Sequence, residues 1–129
     1  METLVVDASS LVGWLLELEP QASELDDLLM PATLFAPPHL QLEAAHALKN
    51  LSRVVPEPVI ERAFEALTDL KVATMGFSEF AHLAWQHRHN LSLYDAGYLA
   101  TAIVTGSPLV TSDRKLAAVA NDFCEVIEV

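Results

Sequence analysis

The chain has 129 residues, 52% of them hydrophobic and 19% charged, which is enough apolar material for one core and too short for two independent domains. Eighteen acidic residues against seven basic ones leave a formal charge of −11, which excludes a nucleic-acid binder working through a broad basic face and makes any phosphate contact local or metal-mediated. The lone Cys124 excludes an internal disulfide and any Cys-rich zinc site, and points to a reducing cytoplasm.

Thr3-Leu4-Val5-Val6 reads as a short buried strand. Asp7 and the two serines after it can cap a helix running through Leu11, Trp14, Leu15 and Leu18, which Pro20 stops. A second helix through Ala22, Leu25, Leu28 and Leu29 ends near Pro31, and Thr33 to Ala36 makes a second strand before Pro37-Pro38. A helix from about His39 to Ser52 follows. Pro58 then opens another, with Ile60, Phe64 and Leu67 on one stripe, and Lys71 to Met75 suggests a third strand. Ser78 is placed to cap a helix carrying Phe80, Leu83, Ala84 and His87. Ser92 is placed to cap the next, which is apolar nearly all round from Ala96 to Val104 and is expected to be central and buried. Leu109 to Thr111, a short helix from about Arg114 to Ala120, and a strand from Glu125 to Val129 complete the chain.

Strands separated by helical patterns, with no repeat or linker between them, predict one α/β domain over 1–129 with a central, mainly parallel sheet in three layers. The longest uncharged run, Ala96 to Ser112, contains Gly106 and Pro108, so no membrane span is expected; the first residues lack the basic start of a secretory leader. Ligands of such sheets bind beyond the carboxyl ends of the strands, which is where chemistry is sought.

Asp7 and Asp113 each close a strand of apolar and β-branched residues, so both carboxylates emerge at the same sheet edge. Each also suits a helix cap, and taken singly capping is the better reading. Asp95 completes a Ser92-x-x-Asp95 capping box, yet it shares a stripe with Leu99, Ala102 and Ile103, where an ionised group needs a partner. Glu43 lies inside its helix at the margin of the apolar stripe, beside the small Ala44 and Ala47. Two carboxylates about 4 Å apart repel by about 4 kcal/mol near a protein surface, so four in one cleft require protons or a divalent cation. An all-oxygen set favours Mg²⁺ or Mn²⁺ over zinc, and a hard cation with open positions suits phosphodiester chemistry.

The segments Val5-Val6-Asp7-Ala8-Ser9, Leu42-Glu43-Ala44-Ala45-His46-Ala47-Leu48, Leu91-Ser92-Leu93-Tyr94-Asp95-Ala96 and Thr111-Ser112-Asp113-Arg114-Lys115-Leu116 together resemble the PIN-domain ribonucleases, specifically the VapC-type toxins of toxin-antitoxin pairs. The resemblance runs along the whole chain in order. It implies a PIN-like α/β/α fold in which Asp7, Glu43, Asp95 and Asp113 hold one or two Mg²⁺ or Mn²⁺ ions, with Ser9 and Thr111 assisting. It further implies endonucleolytic cleavage of RNA, a homodimer, and a small VapB-like antitoxin whose C-terminal segment covers the cleft. Arg114 and Lys115 are the nearest candidate phosphate contacts, Arg88 and Lys49 weaker ones, with ordinary surface solvation the better reading for Lys115 and Lys49.

A response-regulator receiver fails because no Asp follows the second strand, Phe35-Ala36-Pro37. A haloacid-dehalogenase-like phosphatase fails because Asp7-Ala8-Ser9 lacks the second acid. The remaining alternative is a PIN-like module that binds RNA or protein without cutting. His82, His87 and His89 are expected to cover a helix surface, and His39 and His46 to lie on the polar side of the Glu43 helix. Trp14 and Trp85 are expected in the core or a subunit interface, and Cys124 as a small buried hydrophobe.

Overall fold

The computed structural model describes residues 2–129. Strands and helices alternate along the chain as β1 (Thr3–Val6), α1 (Ala8–Leu15), α2 (Gln21–Leu29), β2 (Thr33–Ala36), α3 (Leu40–Leu51), α4 (Glu57–Asp69), β3 (Ala73–Thr74), α5 (Phe77–Gln86), α6 (Leu93–Thr105), β4 (Leu109–Thr111), α7 (Arg114–Ala120) and β5 (Val126–Glu128). The strands form one sheet in the order β3-β2-β1-β4-β5, and every pairing is parallel. Helices sandwich it in the expected three layers: α1 gathers α2, α3 and α4, while α6 lies with α5 against β1, β2 and β4.

The middle strand explains the arrangement. Leu4, Val5 and Val6 have no exposed surface, as a parallel strand covered on both faces requires. From β1 the chain builds outward to β2 and β3, then crosses back to lay β4 on the other side. The carboxyl ends of β1 and β4 therefore flank the point where strand order reverses, the crevice that open α/β sheets use for ligands. Their register pairs Val5 with Leu109 and Val6 with Val110, so the next step in both strands brings Asp7 level with Thr111.

Helix α6 is buried from Ala96 through Ala102. The Thr101 hydroxyl is absorbed by the Gly97 carbonyl at 2.8 Å, which lets a polar side chain sit in the core. Gly106, at φ 65°, ends the helix in the left-handed conformation, with the Ser107 N–H returning to the Ala102 carbonyl at 3.0 Å.

Several sequence expectations shift. Helix α1 stops before Leu18, which is exposed; its terminator is Glu17 at φ 57°, with Leu18 N–H bonded to the Gly13 carbonyl, rather than Pro20. Ser78 does not cap α5. Gly76 holds that position, and its N–H donates to Glu79 Oε2 at 2.7 Å. Helix α4 buries Ile60, Ala63 and Leu67 and leaves Phe64 exposed, because the small Ala63 rather than Phe64 faces the neighbouring helices. Strand β3 shrinks to two exposed residues at the sheet edge, where only β2 supports it.

The histidines and tryptophans divide. His87 is buried edge-on to Phe123 at 4.6 Å, whereas His82, His89 and His46 are exposed. His39 does not lie on a polar face: its ring packs between Tyr94 and Tyr98. Trp85 is 56% exposed beneath the Arg88 guanidinium, 4.6 Å from its ring, so it is not a core residue. Trp14 is half-buried, with its indole N–H donated to Asp26. Cys124 is half-buried against the core, and that burial pushes its thiol pKa up.

Candidate active site

Asp7, the residue after β1, is 3% exposed and caps α1. Its Oδ1 accepts the Ser10 N–H at 3.1 Å and a long contact from the Ser9 hydroxyl at 3.5 Å, and its Oδ2 accepts the Thr111 hydroxyl at 2.6 Å. Asp113 caps α7 in the same manner, with Oδ1 accepting from the Lys115 and Leu116 N–H groups at 2.9 and 3.1 Å. The Thr111 hydroxyl also accepts the Asp113 N–H at 3.0 Å, so one side chain ties the two strand ends together. The choice between cap and site residue was therefore not exclusive. Capping occupies one carboxylate oxygen of each acid, Oδ1 in both.

Glu43 comes from the first turns of α3 and is half-buried, with the Tyr98 hydroxyl donating to its Oε1 at 2.6 Å. Asp95 sits in the first turn of α6. Ser92 Oγ accepts the Asp95 N–H at 3.1 Å, but among the described residues the Asp95 carboxylate returns no hydrogen bond, so only half of the capping box forms. Its pKa is raised, first by burial and then by the charges of Asp113, Asp7 and Glu43; Lys115 pulls the other way.

Asp7, Ser9, Glu43, Asp95, Tyr98 and Asp113 line one cavity of about 250 Å³, with Ala8 and Ala47 leaving the room between them. The four carboxylates reach it from the β1 end, α3, α6 and the β4 end. Among the described residues the ion pair at 3.8 Å between Arg62 and Glu17 is the one salt bridge, and it lies outside the cleft. The donor set suits a hard divalent cation: all oxygen, highly anionic, mutually repelling and, among the described residues, in no salt bridge. It is not a preformed cage, since among the described residues no three His, Cys, Asp or Glu side chains are grouped tightly enough to hold an ion as they stand.

The phosphate candidates separate by position. Arg114 and Lys115 are both exposed at the start of α7, with the Lys115 charge acting on Asp95, whereas Arg88 is occupied by the Trp85 ring and carbonyl. Sequence reasoning missed Ser10, whose Oγ accepts the Ser112 N–H at 3.0 Å and pins the loop before Asp113. It also missed Tyr98. A tyrosine one turn after Asp95 in an otherwise apolar helix was the available signal, because a buried phenol must place its hydroxyl on a partner.

An open parallel sheet with acids converging at its topological switch point defines a small three-layer α/β/α domain with an acidic cleft. The PIN domain family model matches residues 4–122, and the chain belongs to that family, in its VapC group. It is 36% identical over 129 residues to "Ribonuclease VapC1" of Mycobacterium tuberculosis, covering 98% of this chain and 97% of that relative. Among solved structures it is similar to PAE2754 from Pyrobaculum aerophilum, with a TM-score of 0.68 and 22% identity over 97% of this chain and 89% of that one. It also resembles VapBC-5 from Mycobacterium tuberculosis, a member of the VapBC family of toxin-antitoxin systems, with a TM-score of 0.57 and 17% identity over 100% of both chains. These two likenesses concern the fold.

Proposed function

We propose that this chain, as a single domain, is a Mg²⁺- or Mn²⁺-dependent endoribonuclease that acts in the cytoplasm as the toxin of a toxin-antitoxin pair. The observation that carries the reading is the meeting of Asp7, Glu43, Asp95 and Asp113 around one cavity, none of them in a salt bridge among the described residues. The ribonuclease name of a relative aligned along nearly the whole chain supports the same activity. A module that binds without cutting has no use for so costly a cluster of like charges.

In this reading Asp7, Glu43, Asp95 and Asp113 hold the cation. When bound, it supplies charge neutralisation and Lewis-acid polarisation of a phosphodiester oxygen. Asp7 is the fixed corner, because Ser10, Thr111 and the buried sheet end hold it in one rotamer. Ser9 and Thr111 assist by hydroxyl contacts to that carboxylate. Asp113 keeps one oxygen committed to its helix and offers the other. Arg114 and Lys115, exposed at the start of α7 beside Asp113, are the cations available to meet the incoming phosphate. A homodimer and a small VapB-like antitoxin covering the cleft complete the proposal. Among the described residues no helix is long and apolar enough to cross a membrane.

The test is incubation of purified protein with a mixed RNA pool, with and without Mg²⁺, beside Asp7→Asn. Cleavage confined to the wild type with metal is expected. Equal cleavage by Asp7→Asn, or cleavage indifferent to chelation, overturns the assignment.

A further inference from the structure

One short hydrogen bond in the cleft belongs neither to a helix cap nor to the Thr111 tie. Tyr98 has no exposed surface, and its hydroxyl donates to Glu43 Oε1 at 2.6 Å. Burial, that hydrogen bond and the charges of Glu43, Asp7 and Asp95 push the phenol pKa far up, so it remains a protonated donor at any physiological pH.

This bond joins two helices with different main neighbours. Helix α3 packs on α1 and α4, whereas α6 packs on α5 and on the sheet. The relative placement of Glu43 and Asp95 therefore depends on side chains that span the two helices. His39 provides a second span. It precedes α3, and its carbonyl accepts the Glu43 N–H at 2.9 Å, while its Nε2 donates to the Tyr94 carbonyl in α6 at 2.9 Å. Its ring stands edge-on to Tyr98 at 5.0 Å and to Tyr94 at 5.4 Å. That approach exists because residue 97 is glycine: a Cβ there would lie 2.5 Å from His39 Cε1. Glycine inside a helix costs about 1 kcal/mol relative to alanine, a cost offset here by the imidazole seated in the notch.

We propose that Tyr98 is a positioning residue for Glu43, its phenol holding Oε1 so that Oε2 faces the cavity shared with Asp7, Asp95 and Asp113, while His39 in the Gly97 notch sets the gap between α3 and α6. The proposal rests on the reading of that cavity as a metal site. Residues that hydrogen-bond metal-ligating carboxylates govern affinity without touching the ion. Tyr98→Phe keeps the ring and its packing and removes only the donor.

The experiment titrates Mn²⁺ into RNA-free wild type, Tyr98→Phe and Asp7→Asn, following free Mn²⁺ by electron paramagnetic resonance, with thermal unfolding of each metal-free protein alongside. Expected is loss of binding in Asp7→Asn and an affinity about tenfold weaker in Tyr98→Phe, with the latter folded at the temperature of the titration. A matching fall in kcat with little change in KM for RNA accompanies it. If Asp7→Asn loses binding while Tyr98→Phe keeps wild-type affinity, this inference is overturned and the metal-site reading stands. A lower melting temperature in Tyr98→Phe with unchanged Mn²⁺ affinity overturns it equally, since the phenol is then only structural. If both variants bind as wild type does, the metal-site reading itself falls.

Discussion

Thr111 Oγ1 lies 2.6 Å from Asp7 Oδ2, a contact made across neighbouring strands between a buried hydroxyl and a buried carboxylate. The same hydroxyl accepts the Asp113 N–H, so its proton is committed to Asp7 and its lone pair to Asp113. Thr111→Val keeps the shape, orphans the Asp113 N–H and strips Asp7 of a donor. We expect a loss of about 1–3 kcal/mol in urea unfolding, with Thr111→Ser recovering most of it.

Asp95 makes a prediction with a definite sign. Its folded pKa lies above the ordinary 3.8, so between those two values the folded state binds more protons than the unfolded one. Stability is therefore lost as pH rises through that window, and the penalty is complete above the folded pKa. In metal-free buffer, Asp95→Asn is expected to melt a few degrees above wild type at neutral pH, and the gap is expected to close as pH falls below the ordinary carboxylate value. Melting curves across pH check both the sign and the closure.

The two uses of Asp113 are separable. Asparagine also caps helices, so Asp113→Asn is expected to retain stability within about 0.5 kcal/mol and to lose Mg²⁺-dependent cleavage. Asp113→Ala should lose cleavage and also about 1 kcal/mol of stability through the α7 cap. Paired unfolding and RNA-cleavage assays distinguish the two effects.

Gly97 and His39 form a thermodynamic pair. In the wild type, Gly97→Ala drives its methyl into the imidazole and breaks the bond to the Tyr94 carbonyl, so no net gain in stability is expected. In a His39→Ala background the obstacle is gone, and the same change should stabilise by about 1 kcal/mol through helix propensity. A double-mutant cycle reads the reversal directly.

Most of the fold was legible because each element carries its own local signal. Leu4-Val5-Val6 declares a buried strand, Ser92 and Asp113 declare helix starts, and the apolar run after Asp95 declares the central helix. What the sequence concealed depended on contacts between distant segments. Residue 17 takes a left-handed backbone that no glycine advertises, Gly76 rather than Ser78 caps α5 through a carboxylate three residues on, and Phe64 yields its place to Ala63. At the cleft, the acids announced themselves by type and by position at strand ends. Tyr98 and Ser10 did not, because their importance lies in partners fifty-five and more than a hundred residues away.

The four acids are drawn from the second, fifth, ninth and eleventh elements or the turns that begin them. No single segment holds the cleft together, so local opening of any one of these elements withdraws a carboxylate from the set while the rest of the fold stays intact.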